Sequence, residues 1–80
     1  MKANIFVTLK REVLDPQGDA VRHALTSLDL GTVSDVRVGK LIELELATDD
    51  RDQAAKQIEV MCQKLLANPV MEDFRYEIVD

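Results

Sequence analysis

From Ala3 to Lys10 the chain alternates. Ile5, Val7 and Leu9 fall on one face, and Asn4, Thr8 and Lys10 on the other. A two-residue period predicts a β-strand with one buried face. Phe6 departs from the pattern, because its ring sits on the face that should be polar. The period then changes. In VLDPQGDAVRHALTSL, residues Val21, Ala24, Leu25 and Leu28 recur at helical spacing. Asp15 is placed to cap this helix, and Pro16 stands in the first turn, where a missing N–H costs nothing. The helix is expected to end between Leu28 and Leu30, before Gly31.

Thr32 to Thr48 returns to alternation: Val36 and Val38 first, then Ile42, Leu44 and Leu46. This predicts two strands, with Gly39–Lys40 as the turn or bulge between them because glycine accepts positive φ. One long bent strand is the alternative. Leu41, like Phe6, is apolar on the polar face. Asp49 or Asp50 then caps a second helix, and acidic residues suit the positive end of its dipole. Ala54, Ile58, Met61, Cys62 and Leu65 form its apolar face. Asn68 and Pro69 end it, since proline cannot continue a helix and displaces the residue before it. Phe74, Tyr76 and Ile78 mark a last strand.

The order strand, helix, strand, strand, helix, strand predicts an α+β, ferredoxin-like βαββαβ fold. Two helices would cover one face of a four-stranded antiparallel sheet. The other face stays open, with Phe6 and Leu41 on it and Val33 alongside. That face, or the sheet edge, is expected to pack against a second copy.

A chain of 80 residues is read as one domain, residues 1–80, with a core too small to be generous. A single cysteine, Cys62, excludes an internal disulfide, and with the one histidine, His23, it cannot supply the four ligands of a structural zinc. Oligomerisation is the remaining way to bury more surface. The net charge of −5 disfavours nucleic acid and anionic membranes as partners. MKANIFVTLK lacks the apolar run of a signal peptide, and no stretch reaches the ~20 apolar residues of a membrane span. A soluble cytoplasmic protein is expected.

Candidate chemistry is sparse. His23 flanks an apolar helix stripe, and Cys62 reads as a small buried hydrophobe. Asp49, Asp50 and Asp52 open a helix rather than circling a glycine-centred calcium loop. DPQG has one glycine, too few for a phosphate cradle. An RNA-binding sheet of this strand order needs stacking aromatics and a basic surface, which the chain lacks. Arg37, Gly39 and Lys40 place two cations beside a glycine. They are either a contact surface for a partner protein or its anion, or a solvated turn paired to Glu43 or Glu45.

Three blocks extend the reading: VLDPQGDAVRHAL, DVRVGKLIEL and CQKLLANPVMEDF. In this order and spacing they resemble the PurS family, the small subunits of phosphoribosylformylglycinamidine synthase. The likeness runs from Ile5 to about Ile78 and departs at Glu12, where many members carry glycine. The resemblance implies a non-catalytic bridging subunit of a purine-biosynthetic ligase, without catalytic, cofactor or metal residues of its own. Its partners would be further copies of itself, as dimer or tetramer, a PurL-like synthetase that holds ATP and magnesium, and a PurQ-like glutaminase that releases ammonia. Asp15, Pro16, Gln17 and Gly18 match the first block, Arg37, Gly39 and Lys40 the second, and Leu66, Ala67, Asn68 and Pro69 the third. These are the candidate partner contacts, and Phe6 and Leu41 the candidate self-association residues. An ACT-like regulatory module that binds small molecules is the alternative, since it uses a similar unit.

Overall fold

The computed structural model describes residues 1–79. Along the chain run β1 (Lys2–Leu9), α1 (Pro16–Ser27), β2 (Gly39–Glu45), α2 (Arg51–Met61), a π-helical turn (Cys62–Leu66) and β3 (Glu72–Val79). Among the described residues the sheet is antiparallel and three-stranded, in the order β2-β1-β3. Phe6 lies opposite Leu41 on one side and Arg75 on the other. The α+β class, the antiparallel sheet and the two helices are as expected from the sequence.

The strand count differs, for a visible reason. Gly39 and Lys40 do not turn; they pair with Thr8 and Val7 as the first residues of β2. Among the described residues no glycine has positive φ. The segment 33–38 therefore runs on past the end of β1 instead of folding back as a strand of the same sheet. Neither reading is realised in full: β2 holds Gly39–Glu45 alone, and residues 33–38 form no strand.

The core lies between the inner sheet face and α2. Ala3, Ile5 and Val7 of β1 meet Ile58 and Cys62, with Ala67 beneath the π-helical turn. Ile5, Ile58, Val7 and Cys62 are the largest fully buried side chains, and each aliphatic one contributes about 1.5–3 kcal/mol through burial. The thiol of Cys62 is free, and burial pushes its pKa up. Asp50, not Asp49, caps α2, accepting from the N–H groups of Asp52 and Gln53.

The end of this helix corrects one assignment. Ala67 N–H donates to the Cys62 carbonyl at 3.0 Å, five residues back. That bond inserts an extra residue into the last turn. Leu66 and Ala67 come round over the core, and Leu65 is turned out to 82% exposure. An ordinary helix would have put Leu65 with Ile58 and Cys62.

α1 stands away from the sheet. Val21, Ala24 and Leu28 are exposed, and only Leu25 and Arg22 are partly covered within that stretch. The Cα radius of gyration is 16.0 Å, against about 12 Å for a closed domain of this length. The helix ends early, at Ser27, in a Schellman arrangement: Leu30 N–H donates to Leu25 O and Asp29 N–H to Thr26 O. Asp29, at φ 61°, takes the left-handed position usually held by glycine.

Candidate partner interface

DPQG is a clasp. Asp15 is 4% exposed. One carboxylate oxygen accepts from Gly18 N–H at 3.0 Å, capping α1, and the other accepts from Val38 N–H at 2.7 Å. These bonds hold the carboxyl below its ordinary pKa, the Val38 N–H contributing most. Gly18 is small for a steric reason: a Cβ there would lie 2.0 Å from the Val36 carbonyl oxygen. Helix and extended segment thus touch backbone to backbone.

Arg37 closes the clasp from the other side. Its guanidinium donates to the carbonyls of Lys10 and Val13 at 2.8 and 2.9 Å. It is not a solvated turn cation paired with Glu43 or Glu45; through one guanidinium nitrogen it staples the β1–α1 loop. Gly39 is a close approach rather than a turn, since a Cβ would meet Val7 O at 2.6 Å. Pro16, Gln17 and Lys40 are exposed around this scaffold.

LANP begins a second rigid corner. Asn68 O accepts from Met71 N–H and Glu72 N–H, and its side chain accepts from Val70 N–H at 3.0 Å. Pro69 occupies the second position of this β-turn, where its fixed φ is pre-set. Asn68 N–H is in turn held by the Glu72 carboxylate at 2.7 Å. Leu66 and Ala67 face the core, while Asn68 and Pro69 are exposed. An open cleft of about 540 Å³ beside the turn is lined by residues including Ala67, Pro69 and Phe74 and by the Lys10–Asp73 ion pair at 2.9 Å.

The structure adds three residues to these corners. Leu65, Val70 and Leu14 are 82%, 80% and 74% exposed. Leu65 was hidden by its helical spacing. Val70 carried a signal, an apolar residue inside an Asn-Pro turn. Leu14, just ahead of the cap, carried a weaker one.

The outer sheet face is more polar than Phe6 and Leu41 alone imply. The Arg75 guanidinium lies 3.9 Å from the Phe6 ring centroid and shields it. Leu41 is half exposed beside them, and Glu43, Glu45 and Glu77 share the face by register.

A family model for PurS, phosphoribosylformylglycinamidine (FGAM) synthase, matches residues 2–80. The chain is 52% identical over 77 residues to the PurS subunit of phosphoribosylformylglycinamidine synthase from Bacillus subtilis, covering 96% of this chain and 90% of that protein. Its counterpart in Methanocaldococcus jannaschii is 34% identical, covering 96% and 93%. Among solved structures, Bacillus subtilis PurS superposes with a TM-score of 0.86 at 51% identity, covering 99% of this chain and 98% of that one. A chain of PurLQS from Thermotoga maritima gives 0.87 at 30% identity, covering 95% and 93%. Agreement at that level across nearly the whole chain means that the outlying α1 is shared with these relatives. The matches favour the PurS reading over an ACT-like module. The chain belongs to the PurS family of phosphoribosylformylglycinamidine synthase.

Proposed function

We propose that this chain is the non-catalytic subunit that joins the synthetase and glutaminase of phosphoribosylformylglycinamidine synthase. The observation that carries the reading is its likeness to the chain of Thermotoga maritima PurLQS, at a TM-score of 0.87 over 95% of its length. In this role it keeps ammonia, released from glutamine on the PurQ-like subunit, on course to the formylglycinamide ribonucleotide held by the PurL-like subunit. ATP and magnesium belong to the synthetase. The assembly works in the cytoplasm, and the chain associates with further copies of itself as a dimer or tetramer.

Both rigid corners suit docking. Around the clasp, Pro16, Gln17 and Lys40 face outward beside Leu14; around the turn, Asn68 and Pro69 face outward beside Leu65 and Val70. Asp15, Gly18, Arg37, Gly39, Leu66 and Ala67 hold these surfaces in shape from within. A pre-ordered surface loses little conformational entropy on binding.

The test is reconstitution. Purified synthetase and glutaminase are mixed with ATP, Mg²⁺ and formylglycinamide ribonucleotide, with and without this chain, first with glutamine and then with ammonium salt. The expected result is a large dependence on the chain with glutamine and a small one with ammonium. Equal rates with and without the chain on both nitrogen sources overturn the reading. Leu65→Asp and Val70→Asp place a charge on an exposed site; each is expected to keep the wild-type melting temperature and to lose complex formation.

A further inference from the structure

The end of α2 carries two leucines for one place in the core. Ala54, Ile58 and Cys62 are buried at four-residue steps along it. An α-helix turns by about 100° per residue, so such steps drift around its axis. In an α-helical ending the next place would fall to Leu65, three residues after Cys62. The bond from Ala67 N–H to Cys62 O takes one residue more into that turn. The place goes instead to Leu66, which packs against the core while Leu65 is 82% exposed. The two residues are of the same type. An α-helical ending would give the Cys62 carbonyl the N–H of Leu66 in place of that of Ala67. Either ending therefore satisfies that acceptor and buries one leucine. Beyond the turn there is no slack. Ala67 alone, extended at φ −132° and ψ 145°, separates Leu66 from Asn68, and Asn68 is bonded to Val70, Met71 and Glu72.

We propose that the Cys62–Leu66 turn is a two-state element that governs docking at the LANP corner. In the π-helical state Leu66 fills the core and Leu65 stands outward beside Val70. In the α-helical state Leu65 fills the same place, Leu66 is turned out, and the Asn68–Pro69 corner shifts with the helix end. Ile58 and Cys62 keep their positions in both, because the two windings diverge only after Cys62. The core is never opened; one leucine is exchanged for another. Packed cores favour such discrete alternatives over continuous deformation. A partner that holds Leu65 and the corner together binds the π-helical state alone and draws the equilibrium towards it. Its apparent affinity falls in proportion to the share of chains in the α-helical state. This rests on the docking role proposed above and adds its regulation.

A double-mutant cycle of Leu65→Ala and Leu66→Ala tests the two states without any partner. It is read by thermal unfolding at one fixed protein concentration. If the leucines exchange, each single variant keeps one leucine for the core and melts close to wild type. The double variant is then expected to melt about 8 °C or more below both. A Leu66→Ala chain that melts as low as the double variant overturns the proposal, since Leu65 then does not take the place. A double variant that melts with wild type also overturns it, since the core then needs neither leucine. Binding to purified synthetase and glutaminase tests the regulation. Leu66→Ala favours the α-helical state and is expected to lose affinity by about tenfold or more if a tenth of the chains stay π-helical. Leu65→Asp is held in the π-helical state, because a carboxylate does not enter the core, and loses affinity through its own contact. Wild-type affinity in Leu66→Ala, with loss in Leu65→Asp, overturns the regulation and leaves the docking corner standing. Wild-type affinity in both overturns the docking reading itself.

Discussion

Replacing Gly18 with alanine sets two physical effects against each other. Gly18 is in the first turn of α1, and alanine improves on glycine in a helix by up to about 1 kcal/mol. The clasp acts the other way. The new Cβ would stand 2.0 Å from Val36 O and 2.9 Å from its carbonyl carbon, both rigid main-chain atoms. Helix and extended segment must move apart by more than an ångström, which stretches the bonds that both accept or donate through the clasp. Overpacking of this kind costs about 1–3 kcal/mol, and loss of a helix cap about 1 kcal/mol. After the helix gain, the expected net loss is about 1–3 kcal/mol. For a domain of this size each kcal/mol lowers the melting temperature by about 4–8 °C. Thermal and urea unfolding at one fixed protein concentration measure it, since self-association adds to apparent stability. A Gly18→Ala chain as stable as wild type, or more so, would show that the helix does not bear on the segment and that the clasp is misread.

The Asp15 carboxyl is held below its ordinary pKa of 3.8 by the Val38 and Gly18 N–H groups. The unfolded chain therefore binds this proton more readily than the folded one, so the contribution is complete above 3.8 and fades as pH falls from there through the folded value. An acid titration of wild type and Asp15→Asn is expected to converge at the low end and separate at neutral pH. Asp29→Gly relieves a left-handed residue at the helix end and is expected to raise stability by about 0.5–1 kcal/mol in urea. Cys62 is expected to resist a thiol reagent in the native state and react fully in denaturant, because its side chain is buried and its pKa raised. Ile58→Ala, at the centre of the core, is expected to lose about 2–5 kcal/mol.

Local chemistry was legible wherever a residue acts on its neighbours. The Asp15 cap, Pro16 in the first turn, the stop at Asn68–Pro69 and the alternation of β1 and β3 all appear where the pattern put them. What escaped depends on distant backbone. Gly39 looks like a turn residue, yet its small size serves the Val7 carbonyl across the sheet. Arg37 looks like a free cation, yet two carbonyls from an earlier loop occupy it. Leu65 obeys helical spacing until one extra residue in the turn rotates it outward. The candidate corners were visible as motifs; which of their residues face inward was not, because sequence spacing carries no direction relative to the rest of the chain.

β1 occupies the middle of the sheet, although both its neighbours come much later in the chain. As the chain is synthesised, its first strand waits with both edges open until residues 39–45 emerge, and then until residues 72–79 do. Nothing between offers it a local hairpin. The topology is thus one of long-range closure, which slows folding relative to local structure of similar stability. It also leaves ANIFVTL, an apolar strand with two unsatisfied edges, as the segment most prone to pairing wrongly before the chain is complete. Folding yield, more than final stability, is therefore expected to answer to changes in β3, the last strand to arrive.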